Sequence, residues 1–255
     1  MNEASVPRIF SETRRVQRVS RSILLRERRE DAARFIIDDI CDDIVERLSF
    51  VRHEARSSIL IGPGSTELSA YLAQGSATVC EAAIADPTQP IAGGPFDLVA
   101  VIGQLDAVND LPGALIHMRN ALRPGGLAIA SFVGGQSLPR LRAAMLVADG
   151  ERPAARIHPM VDARAAPQLL QRAGWKDPVV DTHVLTVRYS SLDRLVSDLR
   201  DQGLTSALTD RGPPLGKAAL GRARAAFLDQ ADADGKVSET FEIVTLTGRR
   251  SLAGS

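Results

Sequence analysis

The residues able to do chemistry gather after two apolar runs. Ser58-Ile59-Leu60-Ile61 ends in Gly62-Pro63-Gly64, and Phe96-Asp97-Leu98-Val99-Ala100-Val101-Ile102 runs on towards Asp106. A strand, a Gly-x-Gly turn and a helix present backbone N–H groups to a ligand, so Gly62 and Gly64 are candidate ligand-binding positions. Asp106 is a candidate base or an anchor for a cationic substrate; its ordinary alternative is to cap the next helix. Glu81 and Asp86 are further carboxylates between the two runs, with a solvated loop acid as the alternative reading of each. His158, before Pro159, falls in a loop, with the substrate side or an ordinary loop position as its two readings, whereas His117 reads as a surface or packing residue on an amphipathic helix. The four histidines (His53, His117, His158, His183) lack metal-ligand spacing, and Cys41 and Cys80 make neither a disulfide framework nor a cysteine zinc site. No metal centre is expected, and no Ser-His-Asp arrangement or P-loop is visible. Cys80 reads as a small core residue and Cys41 as helix packing.

The elements that must hold these residues follow from periodicity. Residues 58–61, 77–80, 96–102, 127–132, 179–189 and 241–248 read as strands, and 65–75, 111–122, 165–172, 191–203 and 216–232 as helices. Strands alternating with helices predict an α/β sheet with crossover helices. Ahead of the first strand, residues 14–30 carry seven Arg against two Glu, and residues 31–46 carry six acids against one Arg. Phe35, Ile36, Ile40, Ile44 and Leu48 recur at helical spacing, which predicts an amphipathic helix over about 30–50 docked by that face. The basic stretch before it is also read as helical. It is either a solvated face with i,i+4 Glu–Arg pairs or a lid or partner-binding arm. The division is therefore an N-terminal helical arm or lid over 1–56, an α/β domain over 57–249 with a helical insertion over 190–235, and a frayed tail over 250–255.

Composition narrows the class. With 31 basic and 31 acidic residues the formal net charge is zero, a poor basis for nucleic-acid binding. The same balance weakens repulsion between copies and permits a homo-oligomer. No apolar run approaches the roughly 20 residues of a membrane span. The start is polar, without an apolar signal core, so a cytoplasmic location is expected.

The order Gly62-Pro63-Gly64, Phe96-Asp97-Leu98-Val99 and Ala121-Leu122-Arg123-Pro124-Gly125-Gly126-Leu127 resembles the class I S-adenosylmethionine (SAM) dependent methyltransferases. Ile9-Phe10, Val108-Asn109-Asp110-Leu111-Pro112-Gly113-Ala114-Leu115, Phe132-Val133-Gly134-Gly135-Gln136-Ser137-Leu138, Leu170-Gln171-Arg172-Ala173-Gly174-Trp175 and Leu185-Thr186-Val187-Arg188-Tyr189 narrow it. They resemble the bacterial relatives of the mitochondrial complex I assembly factor of methyltransferase fold, an arginine hydroxylase. The malonyl-carrier-protein methyltransferase of biotin synthesis is a more distant relation. The resemblance covers about residues 9–249. It implies a Rossmann-like class I methyltransferase sheet and SAM as cofactor, bound by Gly62, Gly64, Glu81 at the ribose, Asp86 at the adenine amino group, and Ile102.

The departures from that pattern bear on function. Leu60 stands where the family's first motif has an acid facing the methionine end of SAM, and Thr66 where it has a third Gly. Thr66 puts a β-branched side chain where backbone should approach the ligand. From Gly62 to Asp97 is 35 residues, too few for the helix, strand, helix and strand of the full family, so one strand/helix unit is shortened or lost. An aromatic beside the sulfonium, with its cation–π contact, is absent from Gln104-Leu105-Asp106-Ala107. Two functions are therefore expected to compete. One is a SAM-dependent methyltransferase-family enzyme that modifies a protein substrate. The other is a pseudoenzyme without SAM binding that serves as a binding or assembly factor, with respiratory complex I as the implied client. On the first, Gly64→Arg is expected to abolish SAM binding and leave the fold intact.

Overall fold

The computed structural model describes residues 8–74 and 78–252. Its centre is the strand with the most continuous apolar run, β3 (Phe96–Ile102), every residue of which is buried. Such a run needs cover on both faces, and a parallel neighbourhood supplies it. β1 (Ser57–Ile61), β2 (Thr78–Ala82), β3 and β4 (Leu122–Val133) are parallel, and β6 (Val237–Arg249) pairs antiparallel with both β4 and β5 (Lys176–Tyr189). The six-stranded order is β2-β1-β3-β4-β6-β5. The order in which strands are added across the sheet reverses between β1 and β3, which makes their carboxyl ends the natural place for a ligand.

Side chains alternate across the sheet and split the core in two. Leu60, Leu98, Ala100, Ile102 and Ile129 face α2 (Phe35–Phe50), α3 (Ser65–Ala73), α5 (Pro139–Asp149), α7 (Leu192–Asp201) and α8 (Lys217–Leu228). Ile59, Ile61, Val99, Val101 and Ala130 face α4 (Leu111–Ala121) and α6 (Ala166–Arg172). The sequence-based strands and helices are present with ends moved by a few residues, and α5 was not foreseen.

The shortened unit has a definite form. Residues 83–95 contain no helix or strand, and β2 is the edge of the sheet. Cys80 is consequently exposed rather than a core residue. Asp97 at the start of β3 accepts from the backbone N–H of Arg56 (3.0 Å) and Ser57 (2.9 Å) and pairs with Arg123 (2.9 Å). It locks the amino ends of the strands, away from the ligand edge.

Two helices precede the sheet. α1 (Glu12–Arg28) is capped by Ser11, and it ends before α2 begins because Asp201 and Gln202, at the end of α7, reach across the break. Asp201 accepts from the Ala33 N–H (3.1 Å) and Gln202 from the Ile36 N–H (2.8 Å). α2 is docked by Ile36, Ile40, Ile44 and Leu48, as its periodicity requires. α1 differs: its buried residues are Arg15, Arg18, Val19 and Ser22. The reading of the basic stretch as a solvated face is thus wrong for Arg15 and Arg18, both 4% exposed.

Candidate functional site

The carboxyl ends of β1, β2 and β3 meet at a tight junction. The Gly62 N–H donates to the Ala82 carbonyl (3.1 Å). A Cβ on Gly62, at φ +118°, would fall 2.1 Å from the Ile102 carbonyl oxygen, so only glycine lets β1 turn beside β3. Gly64 also has positive φ (+87°), and a Cβ there would lie 2.4 Å from Ile37 Cγ2 and 2.9 Å from Cys41 Sγ. Cys41 Sγ lies 3.3 Å from the Gly64 carbonyl oxygen. The second glycine is therefore needed for contact with α2. Gly64→Arg, expected to spare the fold, would instead drive a side chain into that helix.

The acids predicted from the sequence have distinct surroundings. Glu81 is exposed at the end of β2, with Thr66 Oγ1 3.5 Å from its Oε2. Leu60, in place of an acid, is fully buried against α2 and α3. Ile102 is fully buried at the end of β3. Asp86 accepts from Thr88 N–H (3.0 Å) and Oγ1 (2.8 Å), which orders its turn, and from Arg15 (2.7 Å). Asp106 does not cap α4; Asp110 does, accepting from the Gly113 N–H (2.8 Å).

Asp106 instead forms the centre of a buried ionic cluster. Arg18 donates to it at 2.6 Å, and His158 Nε2 stands 3.3 Å from its other oxygen. All three side chains are 3% exposed or less. Burial alone would raise the Asp106 carboxyl, but the Arg18 charge and the contacts with His158 outweigh it and hold Asp106 well below the usual carboxylate range. Arg18 also donates to the Thr205 carbonyl (3.2 Å), and Phe10 sets its ring edge-to-face against His158 at 5.6 Å. Asn109 holds Phe10 by both backbone groups, accepting from its N–H (2.9 Å) and donating to its carbonyl (3.0 Å). The segment before α1 is thereby fastened to the loop after β3.

Arg15 and Arg18, about one helical turn apart, thus bridge Asp86 and Asp106, and α1 lies across the carboxyl edge between them. A cavity of about 340 Å³ lies on the Phe10, Thr88 and Asn109 side, and one of about 280 Å³ lies over Pro63, Gly64 and Thr66. They share no lining residue. Among the described residues no group of three or more His, Cys, Asp or Glu is arranged to hold a metal ion.

A sequence profile of the methyltransferase domain matches residues 28–179. The chain belongs to the methyltransferase domain family. This methyltransferase domain is 32% identical over 158 residues to the malonyl-[acyl-carrier protein] O-methyltransferase of Xylella fastidiosa (strain M23), covering 62% of this chain and 52% of that protein. It is 31% identical over 163 residues to the mitochondrial arginine-hydroxylase NDUFAF5 of Homo sapiens, covering 62% and 47%. The chain spans about half the length of these two curated relatives. A crystal structure from Bacillus halodurans C-125, named for the same class of protein, superposes with a TM-score of 0.50 at 11% identity over 81% of this chain and 98% of that one. The likeness confirms the class I methyltransferase fold that the sequence motifs imply. Among the described residues no helix is long and apolar enough to cross a membrane.

Sequence reasoning singled out Asp86, Asp106 and His158 separately and did not see the arginines that join two of them. The signal was present in α1. Positions 15, 18, 19 and 22 follow the i, i+3, i+4, i+7 spacing of a buried stripe, but they are Arg, Arg, Val and Ser.

Proposed function

We propose that this member of the methyltransferase domain family has lost SAM binding and works as a binding or assembly protein. The observation that carries the reading is the Arg18–Asp106–His158 cluster, with Arg15 on Asp86 beside it. By the resemblance SAM would use Asp86 for its adenine and the space before Asp106 for its sulfonium end; here Arg15 already holds one oxygen of Asp86 and Arg18 pairs with Asp106. A cationic sulfonium would also meet Arg18 close by, a like-charge contact in a poorly screened interior. Leu60 and Thr66 remove two further expected contacts. The present residues therefore do not fit the cofactor, and no transfer step is drawn through it.

The client of such a protein is a protein partner. NDUFAF5 is named an arginine-hydroxylase and the Xylella relative an O-methyltransferase acting on an acyl-carrier protein, so both curated relatives are named for catalysis. The proposal is that this chain keeps their fold and a protein client, in the manner of a respiratory complex I assembly factor, without the reaction.

Calorimetry with SAM and S-adenosylhomocysteine tests it. No heat and no thermal shift at millimolar ligand is the expected result. Binding at roughly 1–100 µM, about −8 to −5.5 kcal/mol, would overturn it and restore a SAM-dependent methyltransferase as the function.

A further inference from the structure

The net charge of zero conceals a strong segregation. α1 carries six Arg against two Glu, and α2 carries five acids against one Arg. The inner arginines of α1 are consumed in the cluster described above. Arg14, Arg21 and Arg28 recur every seven residues and so lie along another face of the same helix. Arg14 turns to the Leu208 and Thr209 carbonyls, the latter at 2.9 Å, and ties the loop over 205–214 to the helix.

Beside Arg21 this loop forms a groove of about 630 Å³. Arg21, Arg156, Arg211, Thr205, Ser206 and Pro213 line it, and among the described residues no acidic one does. Its wall is rigid. Asp149 receives both Nε and a terminal nitrogen of Arg156 (2.6 Å for the shorter contact), and Arg156 donates onward to the Pro213 carbonyl. Gly212 sits so close that a Cβ would fall 2.3 Å from Ala154 Cβ, which locks the two loops together. Arg21 and Arg211, by contrast, are exposed, and among the described residues neither has an ion pair or a side-chain hydrogen bond.

We propose that this groove binds an acidic peptide segment of the protein partner. The inference rests on the binding role proposed above and names the chemistry of its client. Two unpaired guanidinium groups and two hydroxyls on a braced wall suit carboxylates, which a guanidinium grips through paired N–H donors. At about 630 Å³ the groove is larger than one inorganic anion fills. Among the described residues that line it there is no aromatic on which nucleic-acid bases would stack, which favours a peptide over a nucleic acid.

The test uses the full chain and a fluorescent, acetylated hexaglutamate peptide, followed by anisotropy in about 50 mM salt. Saturable binding that weakens as salt rises is expected. Arg21→Glu with Arg211→Glu should lower affinity by roughly tenfold or more, since each like-charge contact reverses an attraction. Arg119→Glu with Arg172→Glu, on α4 and α6 across the sheet, makes the same change in net charge and should leave affinity within about twofold. Equal loss in both double variants would show a general charge effect and overturn the groove. So would absence of saturable binding, competition by inorganic phosphate at equal concentration, or tighter binding of an oligouridylate of equal charge. Titrating SAM into the same samples separates the two proposals. Peptide binding together with SAM binding keeps the groove and removes the proposed loss of SAM binding, and absence of both does the reverse.

Discussion

Arg18 of α1 and Asp106 beyond β3 are 88 residues apart in sequence and 2.6 Å apart in space, with their side chains 3% and 1% exposed. The pair joins the two features that sequence analysis kept separate, a basic arm and an acid near the ligand edge. It also explains how a helix as polar as α1 can be docked. Charge-assisted hydrogen bonds fix its position where apolar packing would ordinarily do so. Such a contact is specific in geometry but contributes little net stability, because both charges must leave water.

Breaking the pair from one side should therefore be worse than removing it. Arg18→Met is expected to cost about 3–5 kcal/mol, because Asp106 is left buried without its cation. Arg18→Met with Asp106→Leu should recover most of that loss. Urea denaturation of the wild type, the two single variants and the double variant gives the coupling directly. A double variant as unstable as Arg18→Met alone would mean that the cluster holds the fold in some other way.

The same pair predicts a pH dependence. The folded-state Asp106 carboxyl is held below its ordinary value by Arg18 and His158 against the effect of burial. A depressed carboxylate stabilises the fold fully above its unfolded pKa of about 3.9, and the contribution fades as pH falls from there towards the folded value. Stability should be level for this group at pH 6–7 and decline below about pH 4, more steeply in the wild type than in Arg18→Met with Asp106→Leu. Denaturant midpoints across that range measure it, and identical slopes in the two proteins would exclude Asp106 as a source of the acid sensitivity.

Much of the sheet is legible in the sequence because parallel strands are written as short apolar runs closed by glycine turns. Ser58–Ile61 and Phe96–Ile102 are of this kind, and the 35-residue arithmetic between Gly62 and Asp97 correctly implies a missing unit. What sequence did not reveal depends on distant partners. Asn109 and Phe10 were noticed in separate motifs, but their mutual hydrogen bonds span 99 positions. α5 has no cap of its own and starts after Leu138 at φ +61°, a conformation no local rule would assign to leucine. Gly64 reads as a ligand-binding glycine because it closes a Gly-x-Gly turn between a strand and a helix; its contact with Ile37 appears only when α2 is in place.

The remote capping of α5 is itself testable. Glu239 on β6 is fully buried and accepts from the N–H groups of Arg140 (3.2 Å) and Leu141 (2.8 Å). Burial raises its carboxyl above the usual range, while these backbone donors act to lower it. Glu239→Ala should cost about 1–2 kcal/mol through loss of the cap. Hydrogen exchange should be accelerated first in residues 140–143 rather than across the sheet. Uniform acceleration would indicate a loss of β6 packing instead of a lost cap.

Gly64 offers the sharpest contrast between a ligand position and a packing position. If its value were to admit a cofactor, Gly64→Ala would alter ligand binding and leave stability nearly unchanged. Here alanine must adopt φ near +87° and place its Cβ 2.4 Å from Ile37 Cγ2 and 2.9 Å from Cys41 Sγ. The left-handed conformation alone costs a non-glycine residue about 1–2 kcal/mol, and the clash adds overpacking of about 1–3 kcal/mol. Gly64→Ala should thus lower the melting temperature by several degrees without any ligand present. Ile37→Ala opens the space the methyl needs, so Gly64→Ala in that background should cost clearly less than in the wild type, leaving mainly the conformational term. Equal costs in the two backgrounds, read by denaturant titration, would show that α2 does not press on the turn.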